Sequence, residues 1–307
     1  MPEPTRATVV TDDGAHLAVY TDGDPHAAVT VVLSHGYLMT ADTWRLQTRS
    51  LAASGYRVVR YDQRAHGHSG PGEEPASVER LGADLAHVIT AASPRGPIVL
   101  AGHSLGGMAL LSLAVRDPHL VLDRRPRIAL ISTSCTRAAF APGYSPRHWA
   151  KAVARAAYAY PICWLPAAAD QVRRRLSVKN CWALRPDDTR PLGPPPPCRQ
   201  AIHRTPTKPV GDLWRSLRAH DLRGALHGIA DLHDRVEILT GELDDMIPLA
   251  QTQQLARELP NARLHTPVPR AGHRLPSDKH GHAAVTALLA RLCAASQPAP
   301  LSLRAIA

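Results

Sequence analysis

Gly102-His103-Ser104-Leu105-Gly106 lies between an apolar run with strand character, 98–101, and an apolar stretch, 105–115, that reads as a helix ended by Asp117-Pro118. A serine flanked by glycines two positions away on either side suits a tight, strained strand-to-helix turn, where larger neighbours would collide. Such a turn lifts the hydroxyl above the end of a sheet and beside the amino end of the following helix. There the Leu105 N–H can point at a developing oxyanion. The surrounding residues 97–115 carry no formal charge for nineteen positions, long enough to mimic a membrane span. His103, Ser104 and the pair Gly106-Gly107 interrupt that stretch at its middle, so strand–turn–helix is the better reading and no transmembrane segment is expected. The bland alternative for the turn is a glycine-rich packing corner with a bystander serine.

Working outward, residues 7–11 and 15–20 flank the turn signal Asp12-Asp13-Gly14 and read as an antiparallel hairpin. Strands are expected at 29–33, 56–61, 98–101, 127–132, 236–240 and 262–266, and helices at 43–53, behind Ser77, at 105–115, 248–259 and 277–292. Ser77 is a suitable N-cap for the helix carrying Val78, Leu81, Leu85, Val88 and Ile89. Alternating buried strands and amphipathic helices predict an α/β fold, a mostly parallel central sheet with helices on both faces. The rhythm breaks between 136 and 224, which hold Pro161, Pro166, the run 194–197 of four prolines and four of the five tryptophans. We therefore divide the chain into a core, 1–135 with 225–307, and an inserted, mainly helical cap at 136–224. The tail after 294 reads as a loose end.

A serine hydroxyl needs a base within hydrogen-bond reach. His103 points away from its neighbour on the turn. His273, in Arg270-Ala271-Gly272-His273, follows the last strand and precedes the last helix, which puts it at the carboxyl edge of the sheet. His265 falls within the last strand, and His280 and His282 fall in the final helix, so packing or surface roles suit them. A third group should fix the imidazole tautomer and support its cation. Gly241-Glu242-Leu243-Asp244-Asp245-Met246-Ile247-Pro248 follows a strand and offers three carboxylates.

His35-Gly36, the 102–106 turn, Gly241-x-x-Asp244 with Pro248 after it, and Gly272-His273 together resemble the α/β-hydrolase superfamily, with Ser, Asp and His in that family's order. The likeness spans residues 29–292 outside the insertion. It implies a serine hydrolase with the triad Ser104, Asp244 and His273, Asp245 being the competitor for the acid. It also implies an oxyanion hole from the backbone N–H groups of Tyr37 and Leu105. The Tyr37 side chain either enters the pocket or packs. Asp62-x-Arg64-x-x-Gly67-x-Ser69 resembles a bracing loop of this superfamily, with Ala65 where glycine is frequent. Haloalkane dehalogenases and most epoxide hydrolases of the fold use an aspartate where Ser104 stands. The expected reaction is therefore hydrolysis of a carboxylic ester, lipid ester or thioester through a Ser104 acyl-enzyme, without cofactor or metal. Rival readings are a biosynthetic member of the fold (cyclisation, C–C cleavage, thioester release, or perhydrolase or haloperoxidase-like chemistry) and a non-catalytic ligand binder.

Trp149, Trp164 and Trp182, with Tyr37, are candidate substrate contacts for an apolar small molecule, although the tryptophans also suit the insertion's own core. The formal charge of +10 raises the question of an anionic partner, yet the arginines are scattered. The densest run, Arg173-Arg174-Arg175, lacks interleaved aromatics and reads as a solvated helix face, so no nucleic acid is expected. Five cysteines show neither metal spacing nor a disulfide scaffold, and the amino terminus has no apolar signal region. A cytoplasmic protein with reduced thiols is the expectation. A bridge among Cys163, Cys181 and Cys198 stays open, as does the oligomeric state.

Overall fold

In a computed structural model of the chain, residues 3–93, 95–136 and 206–298 are described. The eight strands are β1 (Thr5–Val10), β2 (His16–Asp22), β3 (Thr30–Ser34), β4 (Arg57–Tyr61), β5 (Ile98–His103), β6 (Arg127–Ile131), β7 (Val236–Leu239) and β8 (Arg263–Leu264). They form one sheet in the order β1-β2-β4-β3-β5-β6-β7-β8. The β1–β2 hairpin and the β2–β4 pair are antiparallel, and every later pairing is parallel. The chain has the α/β-hydrolase fold.

Strict two-residue alternation sorts the central strands between two cores. Val32, Ile98, Leu100, Ile128, Leu130 and Ile238 face one cluster, filled by helices α2 (Val78–Ala92) and α3 (Leu105–Arg116). Val31, Leu33, Val99, Ala101, Ala129 and Ile131 face the other, closed by α1 (Arg45–Ala53) and α7 (His282–Ala294). A parallel sheet covered on both faces demands such continuous apolar strands. Ser77 caps α2 through its hydroxyl, which accepts the Arg80 N–H at 3.1 Å. Registers Ser34 opposite Gly102, His103 opposite Ile131, and Ile131 opposite Leu239 align the carboxyl ends of β3, β5, β6 and β7. The loops that follow those strands therefore emerge side by side.

Several local expectations are corrected. Pro118 opens a further helix, α4 (Pro118–Arg124), bent by 95° from α3. Among the described residues no single helix is long and apolar enough to cross a membrane. The strand expected at 262–266 has only two residues, both exposed, at the sheet edge. The final helix starts at His282 rather than 277, because the Asp278 carboxylate accepts the N–H groups of His280 and Gly281 and stops the preceding short turn. His280 thus precedes the helix. Helix α6 (Leu249–Glu258) starts behind Pro248, close to expectation.

Residues 137–205 lie outside the described residues, and with them Trp149, Trp164, Trp182, the arginine run and Cys163, Cys181 and Cys198. The two ends of the expected insertion, 136–224, meet: Thr136 bridges Asp221, and the Leu222 N–H donates to the Cys135 carbonyl at 2.8 Å. Helix α5 (Thr207–Ala219) buries Leu213 with Leu81, Leu105 and Met108. Cys135 and Cys293 are free and buried, and burial pushes both thiols up to about 12.

The loop after β4 is held by charge. Fully buried Arg64 donates two hydrogen bonds to Asp84 of α2, both at 2.7 Å, and two to Asp13 of the hairpin turn, at 2.8 and 2.9 Å. The guanidinium holds the Asp13 carboxyl well below the usual carboxylate range. Ala65 carries a left-handed backbone, φ 59°, at the position where the family resemblance led us to expect glycine. Breaking a buried pair strands the remaining charge, so Arg64→Met is expected to cost about 3–5 kcal/mol of stability. Urea unfolding monitored by tryptophan fluorescence would measure it, and an unchanged midpoint would contradict the bracing role.

Candidate active site

Ser104 closes β5 with φ 53° and ψ −117°, a backbone region that costs a non-glycine residue roughly 1–3 kcal/mol. The surroundings over-determine it. Its N–H donates to the Ile131 carbonyl at 2.9 Å, and its carbonyl accepts the Gly107 N–H at 2.9 Å and the Thr133 hydroxyl at 2.7 Å. A Cβ on Gly102 would sit 2.5 Å from the Gly106 carbonyl oxygen, and one on Gly106 would sit 2.3 Å from that of Ser34. The spacing of small residues read in the sequence is therefore a matter of space as well as of turn geometry. Leu105 is the first residue of α3, so its N–H has no carbonyl four residues back within the helix.

The loop after β8 brings His273 over the serine. The Ser104 hydroxyl donates to His273 Nε2 at 2.9 Å, and His273 Nδ1–H donates to Asp244 Oδ2 at 2.9 Å with Oδ1 at 3.0 Å. A carboxylate only accepts, which fixes the proton on Nδ1 and leaves Nε2 free to receive one. Asp244 Oδ1 is itself held by the N–H groups of Met246 at 3.0 Å and Ile247 at 2.8 Å. Gly241 lets the two loops meet, since a Cβ there would lie 2.4 Å from the Ala271 carbonyl oxygen. Of the three carboxylates in 241–248, Asp244 faces His273, while Glu242 accepts the Arg270 N–H at 3.0 Å. All three members of the line are nearly buried: Ser104 and His273 are 8% exposed and Asp244 is 5% exposed.

Three supporting residues escaped the sequence reading. Thr133 fastens the serine's carbonyl, as above. Buried Asp278 accepts the Gly272 N–H at 3.3 Å and so ties the histidine loop to the start of the last helix. His103 diverges from Ser104 as expected, but its Nε2–H donates to the His273 carbonyl at 2.8 Å and its ring lies 5.1 Å from that of His273. Burial, with His273 nearby, pushes its imidazole down to about 3, so it stays neutral beside the candidate base. No local pattern marks these roles, because each depends on a partner brought from a distant strand end.

The loop after β3 runs alongside the turn. Tyr37 is only part-buried, and its hydroxyl donates to the Val210 carbonyl of α5 at 2.9 Å, tying that loop to the helix. Tyr37 packs against an apolar cluster that includes Leu105, the residue next to Ser104, with Met108, Leu213 and Ile247. A cleft of about 360 Å³ lies elsewhere, between residues 265–269 and α7, and is lined by none of Ser104, Asp244 or His273. Among the described residues no group of three or more His, Cys, Asp or Glu could hold a metal ion.

A family model described as the alpha/beta hydrolase family matches residues 31–288. A putative carbamate hydrolase, RutD, of Variovorax paradoxus is 27% identical over 273 residues, covering 84% of this chain and 88% of its own. A non-heme chloroperoxidase of Streptomyces lividans is 36% identical over 100 residues, 33% of this chain. That match spans only 36% of the chloroperoxidase, and one to a Burkholderia pyrrocinia chloroperoxidase spans 38% of its length. Among solved structures, an esterase from Exiguobacterium antarcticum superposes with a TM-score of 0.70 at 18% identity, covering 94% of this chain and 99% of that one. At that identity the likeness speaks for the fold alone.

Proposed function

The chain belongs to the alpha/beta hydrolase family, and from that premise we propose that it is a serine hydrolase cleaving carboxylic esters through an acyl-enzyme on Ser104. The observation that carries this reading is the unbroken line Asp244–His273–Ser104, with both links at 2.9 Å. Ser104 attacks the ester carbonyl as its proton passes to His273 Nε2. Asp244 holds the imidazole in the competent tautomer and supports the cation that forms. The N–H groups of Leu105 and Tyr37 receive the oxyanion, an interaction that strengthens only as charge develops. His273 then gives its proton to the leaving alcohol or thiol, and water activated by the same imidazole releases the acid.

The apolar cluster of Tyr37, Leu105, Met108, Leu213 and Ile247 supports an apolar small-molecule ester or thioester as substrate. A carbamate is an acyl donor of the same geometry and fits the RutD likeness. The likeness to chloroperoxidases and to a bifunctional esterase/perhydrolase favours a second use of the same acyl-enzyme. Hydrogen peroxide in place of water would release a peracid and regenerate the hydroxyl. The match to an epoxide hydrolase of Mycobacterium tuberculosis is not carried over, because a serine stands at the nucleophile position.

A fluorophosphonate probe is expected to phosphonylate Ser104, located by peptide mapping, with loss of turnover on p-nitrophenyl esters of graded chain length. Inertness of Ser104 to the probe would overturn the reading in favour of a ligand binder.

A further inference from the structure

The loops after β3 and β4 are stitched together by two buried histidines used in the same unusual way. His66, in the loop after β4, donates its Nδ1–H to the Arg64 carbonyl at 2.9 Å and accepts the Leu38 N–H on Nε2 at 3.2 Å. His35, in the loop after β3, donates its Nδ1–H to the Gly36 carbonyl at 2.8 Å and accepts the Gln63 N–H on Nε2 at 2.9 Å. Each loop thus lends an imidazole lone pair to a backbone N–H of the other. The Gln63 side chain adds a donation to the His35 carbonyl at 2.6 Å. The two rings meet edge to face, 5.4 Å apart, and both residues are fully buried.

The partners dictate the protonation state. A carbonyl oxygen only accepts and a backbone N–H only donates, so each ring must be neutral with its proton on Nδ1. Burial holds both imidazoles below their ordinary range, which keeps that state occupied.

Leu38 shows what the stitch acts on. The Met39 N–H donates to the Gly36 carbonyl at 3.2 Å, closing a four-residue turn over 36–39. Leu38 is its third residue and has φ 55°, while Tyr37 is not left-handed. A turn of that kind ordinarily places glycine third, so leucine there is strained. Turning the Tyr37–Leu38 peptide over would relieve the strain and reverse the Tyr37 carbonyl, while the Tyr37 N–H belongs to the adjoining Gly36–Tyr37 peptide, whose carbonyl accepts the Met39 N–H at 3.2 Å and the His35 Nδ1–H at 2.8 Å. The Leu38 N–H that such a flip would swing away is the one His66 accepts.

We infer that His66 is a positioning residue: by fixing the Tyr37–Leu38 peptide while His35 fixes the adjoining Gly36–Tyr37 peptide, it keeps the 36–39 turn that carries the Tyr37 N–H in place beside Ser104. The inference rests on the acyl-enzyme reading for its catalytic consequence. The stitch itself does not depend on that reading. Removing a single oxyanion donor costs about 10²–10³ in kcat, and a displacement near 1 Å can cost about 10²-fold.

The test uses the full chain with His66→Phe, which keeps a ring without nitrogen, and His66→Gln, whose amide offers both an acceptor and a donor. His66→Phe is expected to lose about 10–100-fold in kcat on a p-nitrophenyl ester, with KM moving less than about threefold, since the oxyanion contact forms in the transition state. Affinity for an alkyl trifluoromethyl ketone, whose adduct bears the oxyanion, should fall in parallel. His66→Gln should recover kcat to within about fivefold of the parent. Hydrogen exchange at the 36–39 backbone should quicken in His66→Phe and return toward the parent in His66→Gln. Should His66→Phe not fold, His66→Asn, too short to reach Leu38, takes its place with the same expectations. A folded variant with parental kcat and parental exchange overturns the inference, as does a loss that glutamine does not repair. Failure of the acyl-enzyme reading looks different: the parent itself would show no labelling at Ser104, while the exchange difference between variants would remain.

Discussion

Ser104→Ala is expected to lower kcat on an acyl ester by about 10⁵–10⁶ while leaving the protein folded. The loss is large because no other group can form the acyl-enzyme. What survives comes from the oxyanion donors and from binding, which hold a residual advantage of about 10³–10⁴ over water. The fold should tolerate the change for a local reason. Alanine keeps the Cβ, so the strain at φ 53° is unaltered, and the hydrogen bonds that hold position 104 are made by its backbone N–H and carbonyl. Only the hydroxyl's bond to His273 is lost, worth about 0.5–1.5 kcal/mol. His273→Ala should fall by a comparable factor, and the double variant should be little worse than either, since the residues act as one unit. Steady-state kinetics beside a thermal melt would decide it. Turnover by Ser104→Ala at the parental rate would remove Ser104 from the mechanism.

Asp244→Asn is expected to lower kcat by about 10⁴, and Asp245→Asn by less than about threefold. The first expectation follows from the hydrogen bonds around the carboxylate. Oδ1 accepts the N–H groups of Met246 and Ile247, so an asparagine must place its carbonyl oxygen there. Its NH₂ then occupies the Oδ2 position, 2.9 Å from His273 Nδ1. Two donors cannot face each other, so the imidazole turns to the tautomer with its proton on Nε2 and no longer accepts from Ser104. The pre-steady-state burst with a p-nitrophenyl ester should vanish in Asp244→Asn and persist in Asp245→Asn. The reverse pattern would transfer the role to Asp245, the competitor that the primary structure left open.

Much of the architecture was legible because its determinants are local. The runs at 98–101 and 128–131 are apolar at every position, and a strand buried on both faces needs that and little else. The 102–106 turn was legible because a strained corner admits only small residues two positions from its centre. Errors arose where a distant group decides an element's end. The helix expected from 277 is delayed to His282 because the buried Asp278 carboxylate takes up the N–H groups of His280 and Gly281 just ahead of it. The edge strand pairs with β7 only through Arg263 and Leu264, both exposed, so no buried apolar face marks its ends.

The same division holds at the site. Residue types and their order were enough to single out Ser104 and His273, because a nucleophile needs a strand-to-helix turn and a base needs a loop at the same sheet edge. For the acid they offered three carboxylates, Glu242, Asp244 and Asp245, and the family resemblance, not any local property, selected Asp244 with Asp245 as its competitor. Only the sheet register, which aligns the ends of β3, β5, β6 and β7, decided which one faces the imidazole. Register also decided that His103, Thr133 and Asp278 brace the line, and that His35 and His66 exchange backbone partners. Hydrogen bonds between loops are directional and reach only about 3 Å, so they depend on where the fold delivers each atom, and no spacing along a chain records that.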